Sequence, residues 1–274
     1  MQEKADHRKL RSYLLAVEDT AFLQRDELRP LRLALEFNKV DLVLTDMGIK
    51  STIVVFGSSR ILSPEQAEET FRNAHGTAAL KMAEQHKRLS AWYQEARNFG
   101  RIVSERGGSL APQGGVHENV IVTGGGPGIM EAANRGAADA GALSIGFNIF
   151  PPAEQQPNAY TTAELTCRFH YFAIRKMHFA MRANALVVFP GGLGTLDELF
   201  EILTLKQARK TPLMPVILFC RSYWRKIINF DALAEFGMIE PEDTALFDIV
   251  DTAEEAWEVM VKRGLTAQTP LREA

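Results

Sequence analysis

Residues 185–207 read ALVVFPGGLGTLDELFEILTLKQ, and this stretch decides the fold. Residues 185–189 are all apolar, as in a strand buried on both faces. Pro190, Gly191, Gly192, Leu193 and Gly194 then form a turn with three glycines. From Thr195 the apolar residues Leu196, Leu199, Phe200 and Leu203 fall at helical spacing. A strand therefore passes through a glycine-rich turn directly into a helix. Glycines leave backbone N–H groups uncovered, and a helix start adds unpaired donors and the positive end of a dipole. Such a junction holds a phosphate without a metal or a lysine. Thr195 and Glu198 also match the T-x-x-E pattern of a capping box, which would make Glu198 a structural residue. The other reading starts from charge. A carboxylate weakens an anion site but suits a ligand on which positive charge develops.

A second junction of this kind spans residues 119–141, NVIVTGGGPGIMEAANRGAADAG. Residues 120–122 read as a strand, Gly124, Gly125, Gly126, Pro127 and Gly128 as the turn, and residues 129–140 as an alanine-rich helix. One glycine turn is weak evidence, because many such turns only pack a helix on a strand. Two strand-to-helix turns in one chain point to two anion-holding edges at the carboxyl end of one parallel sheet.

The stretches GGGPGIMEAANRGA, RKMHF and PGGLGTLDE resemble the signature motifs of the LOG ("lonely guy") family. VVFGSSR and FPPAEQQPNAYTT fit its longer bacterial members. The likeness covers residues 52–62 and 119–220, and PGG-x-GT-x-x-E is its most specific motif. The family cleaves the N-glycosidic bond of adenine-type nucleoside 5′-monophosphates. The resemblance thus implies Arg175 and Glu198 as catalytic residues. It implies substrate contacts from Gly57, Ser58 and Ser59, and from Gly124, Gly125, Gly126, Gly128, Met130 and Glu131. Lys176, Pro190, Gly191, Gly192, Gly194 and Thr195 complete that set. It implies a homodimer or larger homo-oligomer, and no metal or cofactor is expected. The alternative is a non-catalytic carrier or sensor of a phosphorylated ligand, of the molybdenum-cofactor-carrier type. Such a carrier would need the glycines but not the pair Arg175 and Glu198.

Bond cleavage at the sugar asks for exactly two kinds of group. Positive charge grows on the ribose, which a carboxylate stabilises while orienting the attacking water. Negative charge grows on the departing base, which an acid or cation answers. Glu198 fits the first role. Arg175 fits the second, or else it fixes the substrate or Glu198. Lys176 invites a Schiff-base reading, which no surrounding pattern supports. Cys167, His170 and His178 match no usual zinc spacing.

Composition bounds the rest. The 274 residues are 46% hydrophobic and 24% charged, as in an ordinary globular chain with one large core. A net charge of −3 argues against nucleic acid as a partner, so any phosphate site is local. Two distant cysteines make no disulfide framework and suit a reducing compartment. No apolar run reaches the ~20 residues of a membrane span, and no signal-type core opens the chain. A cytoplasmic location is expected.

Residues 1–50 read as a helical extension. Leu14, Leu15, Val17 and Phe22 line a first helix that Leu28, Arg29 and Pro30 interrupt. Residues 52–56 form the first strand, and Gly57, Ser58, Ser59 and Arg60 a loop whose hydroxyls and arginine suit a phosphate or ribose. Ser63, Pro64 and Gln66 open a helix that runs toward Glu105, with a break near His75 and Gly76. Within the insertion at about 70–115, the stripe Leu89, Trp92, Tyr93, Ala96, Phe99 and Val103 is expected to meet a second copy of the chain. Residues 143–149 are the next strand, 151–158 a loop across the site mouth, and 169–182 a helix. A strand at 216–219, a surface helix at 223–236, a short strand at 246–250 and a capped helix follow. Residues 265–274 form a polar tail. The alternation gives an α/β, Rossmann-like, doubly wound parallel sheet of five or six strands over residues 51–264.

Overall fold

A computed structural model describes residues 10–110, 114–149, 156–210 and 214–265. In chain order the elements are α1 (Thr20–Leu23), α2 (Arg29–Asp46), β1 (Thr52–Phe56), α3 (Pro64–Arg72), α4 (Thr77–Arg106), β2 (Val120–Thr123) and α5 (Ile129–Asp139). Then come β3 (Ser144–Ile149), β4 (Thr166–Phe169), α6 (Phe172–Met181), β5 (Ala183–Val188) and α7 (Leu193–Gln207). The chain continues through β6 (Val216–Phe219), α8 (Arg221–Ile227), α9 (Phe230–Glu235), β7 (Asp248–Val250) and α10 (Ala253–Lys262).

The strands form one sheet in the order β4-β3-β2-β1-β5-β6-β7, and every pairing is parallel. This is a doubly wound, Rossmann-like α/β architecture. The inner strands β1, β2, β5 and β6 are nearly continuous apolar runs because both faces are covered. Val54, Phe56, Leu186 and Val188 face one core, shared with α2, α6, α7 and α8. Ile53, Val55, Ala185 and Val187 face the other, shared with α4, α5 and α10. The chain winds outward from β1 to β4, then returns to lay β5 on the other side of β1. The order reverses there, and the crevice between the carboxyl ends of β1 and β5 is the place where such sheets bind ligands.

Several expectations need correction. The sheet has a seventh strand, β4, within a region read as loop and helix start; four residues at an edge carry too little pattern to be seen. Pro30 does not interrupt a helix but sits in the first turn of α2, where proline is preferred. The residues before it form short turns, with Leu14, Leu15 and Val17 exposed. The 223–236 helix is two, α8 and α9, with Asn229 capping the second. The break expected near His75 and Gly76 is present, between α3 and α4, where Gly76 takes φ +85°.

The aromatic stripe of α4 is not left for a second copy. Tyr93, Ala96, Phe99 and Val103 are fully buried within the chain, packed with α5 and α10. Helix α2 of the N-terminal extension lies on the opposite face of the sheet. Among the described residues no helix is long and apolar enough to cross a membrane. Residues 151–155 of the expected mouth loop, residues 211–213 and the tail beyond 265 lie outside the described residues.

Candidate active site

At the β1/β5 switch point lies a cavity of about 710 Å³, within the usual range for small-molecule sites. Residues 56–60 after β1 form one wall and Gly192, Leu193, Gly194 and Thr195 at the start of α7 another. Gly124, Met130, Ile149, Arg175, Phe179 and Glu198 complete it. The two walls are tied together: Ser58 N–H donates to the Pro190 carbonyl at 3.0 Å, and Phe189 N–H to that of Phe56 at 2.8 Å.

Helix α7 begins at Leu193, two residues before the expected start. Its N-cap is Gly192, without any side-chain cap. Thr195 is therefore inside the first turn and cannot cap it, so the capping-box reading of Glu198 falls. Glu198 instead pairs with Arg175, whose Nη2 donates to Oε1 at 3.1 Å; their side chains are 12% and 9% exposed for Arg175 and Glu198. The Arg175 guanidinium also lies 5.0 Å from the Phe172 ring and 5.7 Å from that of Phe179. Its Nε is buried with no hydrogen-bond partner.

Burial governs the electrostatics of this pair. It pushes the Glu198 carboxyl up to about 7, against the opposing charges of Arg175 and Lys176. It also lowers the Arg175 guanidinium, against the pull of Glu198. A glutamate poised near neutrality has the tuning expected of a general base.

The two glycine turns do different things. Gly192 and Gly194 have ordinary φ, and a Cβ at either would meet nothing within 4 Å. Their backbone faces open space beside an uncapped helix start. At the first turn the backbone is already engaged. Gly125 N–H donates to Thr123 Oγ1 at 2.9 Å, and Asn158 takes the carbonyls of Gly125 (2.8 Å) and Gly126 (3.0 Å). Gly125 has φ +67°, with Asn148 where a Cβ would go, and Gly128 has φ +74° beneath the backbone of Ser58 and Ser59. Of the first turn and its helix, only Gly124 and Met130 line the cavity.

Other expected substrate residues also lie elsewhere. Glu131 accepts from the Tyr93 hydroxyl at 2.7 Å, outside the cavity lining. Lys176 is turned toward Asp197 (2.6 Å) and Glu201 (3.1 Å) on the outer side of α7. Although partial burial acts to lower it, those two carboxylates raise its pKa, the reverse of what a Schiff-base lysine needs. Pro190 and Gly191 act behind the cavity, with the Gly191 carbonyl accepting from the Tyr223 hydroxyl at 2.5 Å. Phe56, Ile149 and Phe179 line the site without having been singled out. Their apolar character reads as core, so the sequence carries no separate signal for them. Among the described residues no group of three or more His, Cys, Asp or Glu side chains is placed to hold a metal.

The family described as "Possible lysine decarboxylase" matches residues 130–260. Cytokinin riboside 5′-monophosphate phosphoribohydrolase LOG3 of Arabidopsis thaliana is 26% identical over 140 residues, 50% of this chain and 64% of that protein. The probable enzyme of the same name, LOGL3, from Oryza sativa subsp. japonica is 32% identical over 82 residues, 30% of this chain and 39% of its own. Over these residues the chain is similar to the LOG family. It spans less than two thirds of the length of the curated LOG relatives it matches. Among solved structures, the Moco carrier protein from Chlamydomonas reinhardtii is similar at TM-score 0.46 and 18% identity, covering 78% of this chain and 97% of that one. The molybdenum cofactor binding protein from Rippkaea orientalis is similar at TM-score 0.45 and 17% identity, covering 78% and 95%.

Proposed function

We propose that the chain is a phosphoribohydrolase that cleaves the N-glycosidic bond of AMP, or of an AMP with a modified adenine, to free base and ribose 5-phosphate. The observation that carries this reading is the buried Arg175–Glu198 pair in one cavity with an uncapped, glycine-lined helix start. The 5′-phosphate binds at the N–H groups of residues 192–195, with Arg60 and the hydroxyls of Ser58 and Ser59 on the facing loop. The ribose lies over Glu198 and the base toward Met130, Ile149 and Phe179. Ionised Glu198 takes a proton from water as its oxygen attacks the anomeric carbon. The C–N bond breaks with its electron pair leaving on the base, which is protonated on release. Arg175 holds Glu198 in place and favours its charged form. The free thiols of Cys167 and Cys220 fit a reducing, cytoplasmic setting.

Incubation with a panel of nucleoside 5′-monophosphates tests this directly. Equimolar free base and ribose 5-phosphate from AMP or a modified AMP are expected. Tight binding of a phosphorylated ligand with no base released would favour the carrier reading instead.

A homo-oligomer is part of the proposal, but with a different surface from the α4 stripe. The outer faces of α6 and α7 expose Phe172, Met177, Met181, Leu193 and Phe200, with Leu193 87% exposed. A clustered apolar surface at a site mouth is what a second copy covers. Light scattering should find at least a dimer; Phe200→Glu should dissociate it and Trp92→Glu should not.

A further inference from the structure

The N-terminal helix α2 carries no residue of catalytic character, yet its polar contacts converge on α6, the helix that holds Arg175. Glu36 accepts from the backbone N–H of His170 and of Tyr171, both at 2.9 Å. Tyr171 is the N-cap of α6, and its own side chain makes no cap bond. The cap is supplied instead across the fold, by a carboxylate at the positive end of the helix. Arg32 Nε donates to the Tyr171 hydroxyl at 3.3 Å, and Arg32 Nη1 to the carbonyl of Leu23 at 2.7 Å. At mid-helix His178 Nε2 bonds the Phe37 carbonyl at 3.1 Å. At the far end Arg182 Nη1 donates to Asp41 Oδ1 at 2.7 Å, and its Nη2 to Thr45 Oγ1 at 3.1 Å.

Helix α6 has ten residues, too few to be stable without docking. Arg175 lies at its first turn, where its N–H closes the first helical bond, on the Tyr171 carbonyl at 3.2 Å. The guanidinium donates to Glu198, rests against two rings and leaves Nε without a hydrogen-bond partner. Its position is therefore set by the backbone of that first turn. A fraying turn would move the guanidinium by ångströms.

We infer that α2 is a positioning element of the active site, and that Glu36, by capping α6 across the fold, fixes Arg175 against Glu198. Glu36 is a positioning residue and touches no substrate. The inference rests on the hydrolase reading only for its kinetic consequence. Its structural content is the placement of Arg175, which can be measured without turnover.

The test uses the full chain with carbon-13-labelled glutamate side chains and follows the Glu198 carboxyl by NMR through a pH titration. Arg175 lowers the Glu198 pKa, so withdrawing it should move the midpoint upward from its value of about 7. Glu36→Ala is expected to raise the midpoint. It should also lower kcat for AMP by roughly tenfold to a hundredfold while KM changes little, as misplacement of a catalytic group does. Glu36→Gln, which keeps the shape and one acceptor, should fall between Glu36→Ala and wild type. Asp41→Asn loosens the end of α6 remote from Arg175 and should have a smaller effect. Thr252→Ala removes the cap of α10 on the other face and controls for lost stability, with no expected change in midpoint. A Glu198 midpoint unchanged in both Glu36 variants, or an Asp41→Asn effect as large as that of Glu36→Ala, overturns the inference. If wild type hydrolyses nothing, the hydrolase reading fails while the titration still decides this one.

Discussion

The two glycine turns look alike as sequence and are opposite in use. In the turn after β2 the glycines satisfy the chain itself. Gly125 and Gly128 take left-handed backbone angles, and Asn148, Asn158, Ser58 and Ser59 occupy the space around them. In the turn after β5, Gly192 and Gly194 have ordinary angles and nothing where a side chain would stand. The fold does not demand glycine at those two positions, whereas at Gly191 a Cβ would run into the Thr195 side chain. The carboxylates that follow the turns diverge in the same way: Glu131 is tied to Tyr93 within the framework, and Glu198 to Arg175 inside the site.

The largest expected effect separates those two carboxylates. Glu198→Gln should lose about 10²-fold or more in kcat with the fold intact, whereas Glu131→Gln should keep turnover and lose only stability. Steady-state kinetics beside thermal melts would show it, and equal kcat losses would erase the distinction between the turns.

The pH profile sharpens the same point. The working form of Glu198 is the carboxylate, and its pKa is pushed up to about 7. The rate should therefore rise about tenfold per pH unit below that value and level off above it. Stability has the opposite sign. With the folded pKa raised above the unfolded one, the native state binds more protons between the two values, so the Glu198 contribution weakens as pH rises through that window. A rate flat from pH 5 to 8 would remove Glu198 as the titrating base.

The glycines themselves come next. Gly125→Val should destabilise the fold by about 1–3 kcal/mol from the backbone conformation alone, with a further cost from the clash with Asn148. Gly194→Ala should do the reverse. It lies within the first turn of α7, where alanine is the better helix former by up to about 0.5–1 kcal/mol. The melting temperature should hold or rise while KM for AMP rises several-fold, as expected for one hindered N–H contact. A destabilised Gly194→Ala would mean that this turn too is glycine for the sake of the chain.

Much of this was legible in the sequence. The nearly continuous apolar runs located β1, β2, β5 and β6 because strands covered on both faces have no alternation to blur. Arg175 and Glu198 came from motif likeness, and the structure brings them to 3.1 Å across 23 residues of sequence. The failures have physical causes. T-x-x-E looks like a capping box wherever a helix start is uncertain, and two residues of uncertainty at α7 changed the role of Thr195. Apolar periodicity on α4 shows that a face is buried and not what buries it, so the same stripe served a partner copy or α5 equally well. The cap of α6 by Glu36 joins residues 134 and 135 apart, and no local pattern announces it.

The central claim is that the open turn after β5 receives the 5′-phosphate of the substrate. The direct measurement is kcat/KM for AMP against adenosine with the wild-type protein. Two or three charge-assisted N–H contacts should favour AMP by roughly 10²-fold or more, and a ratio near one would contradict the claim.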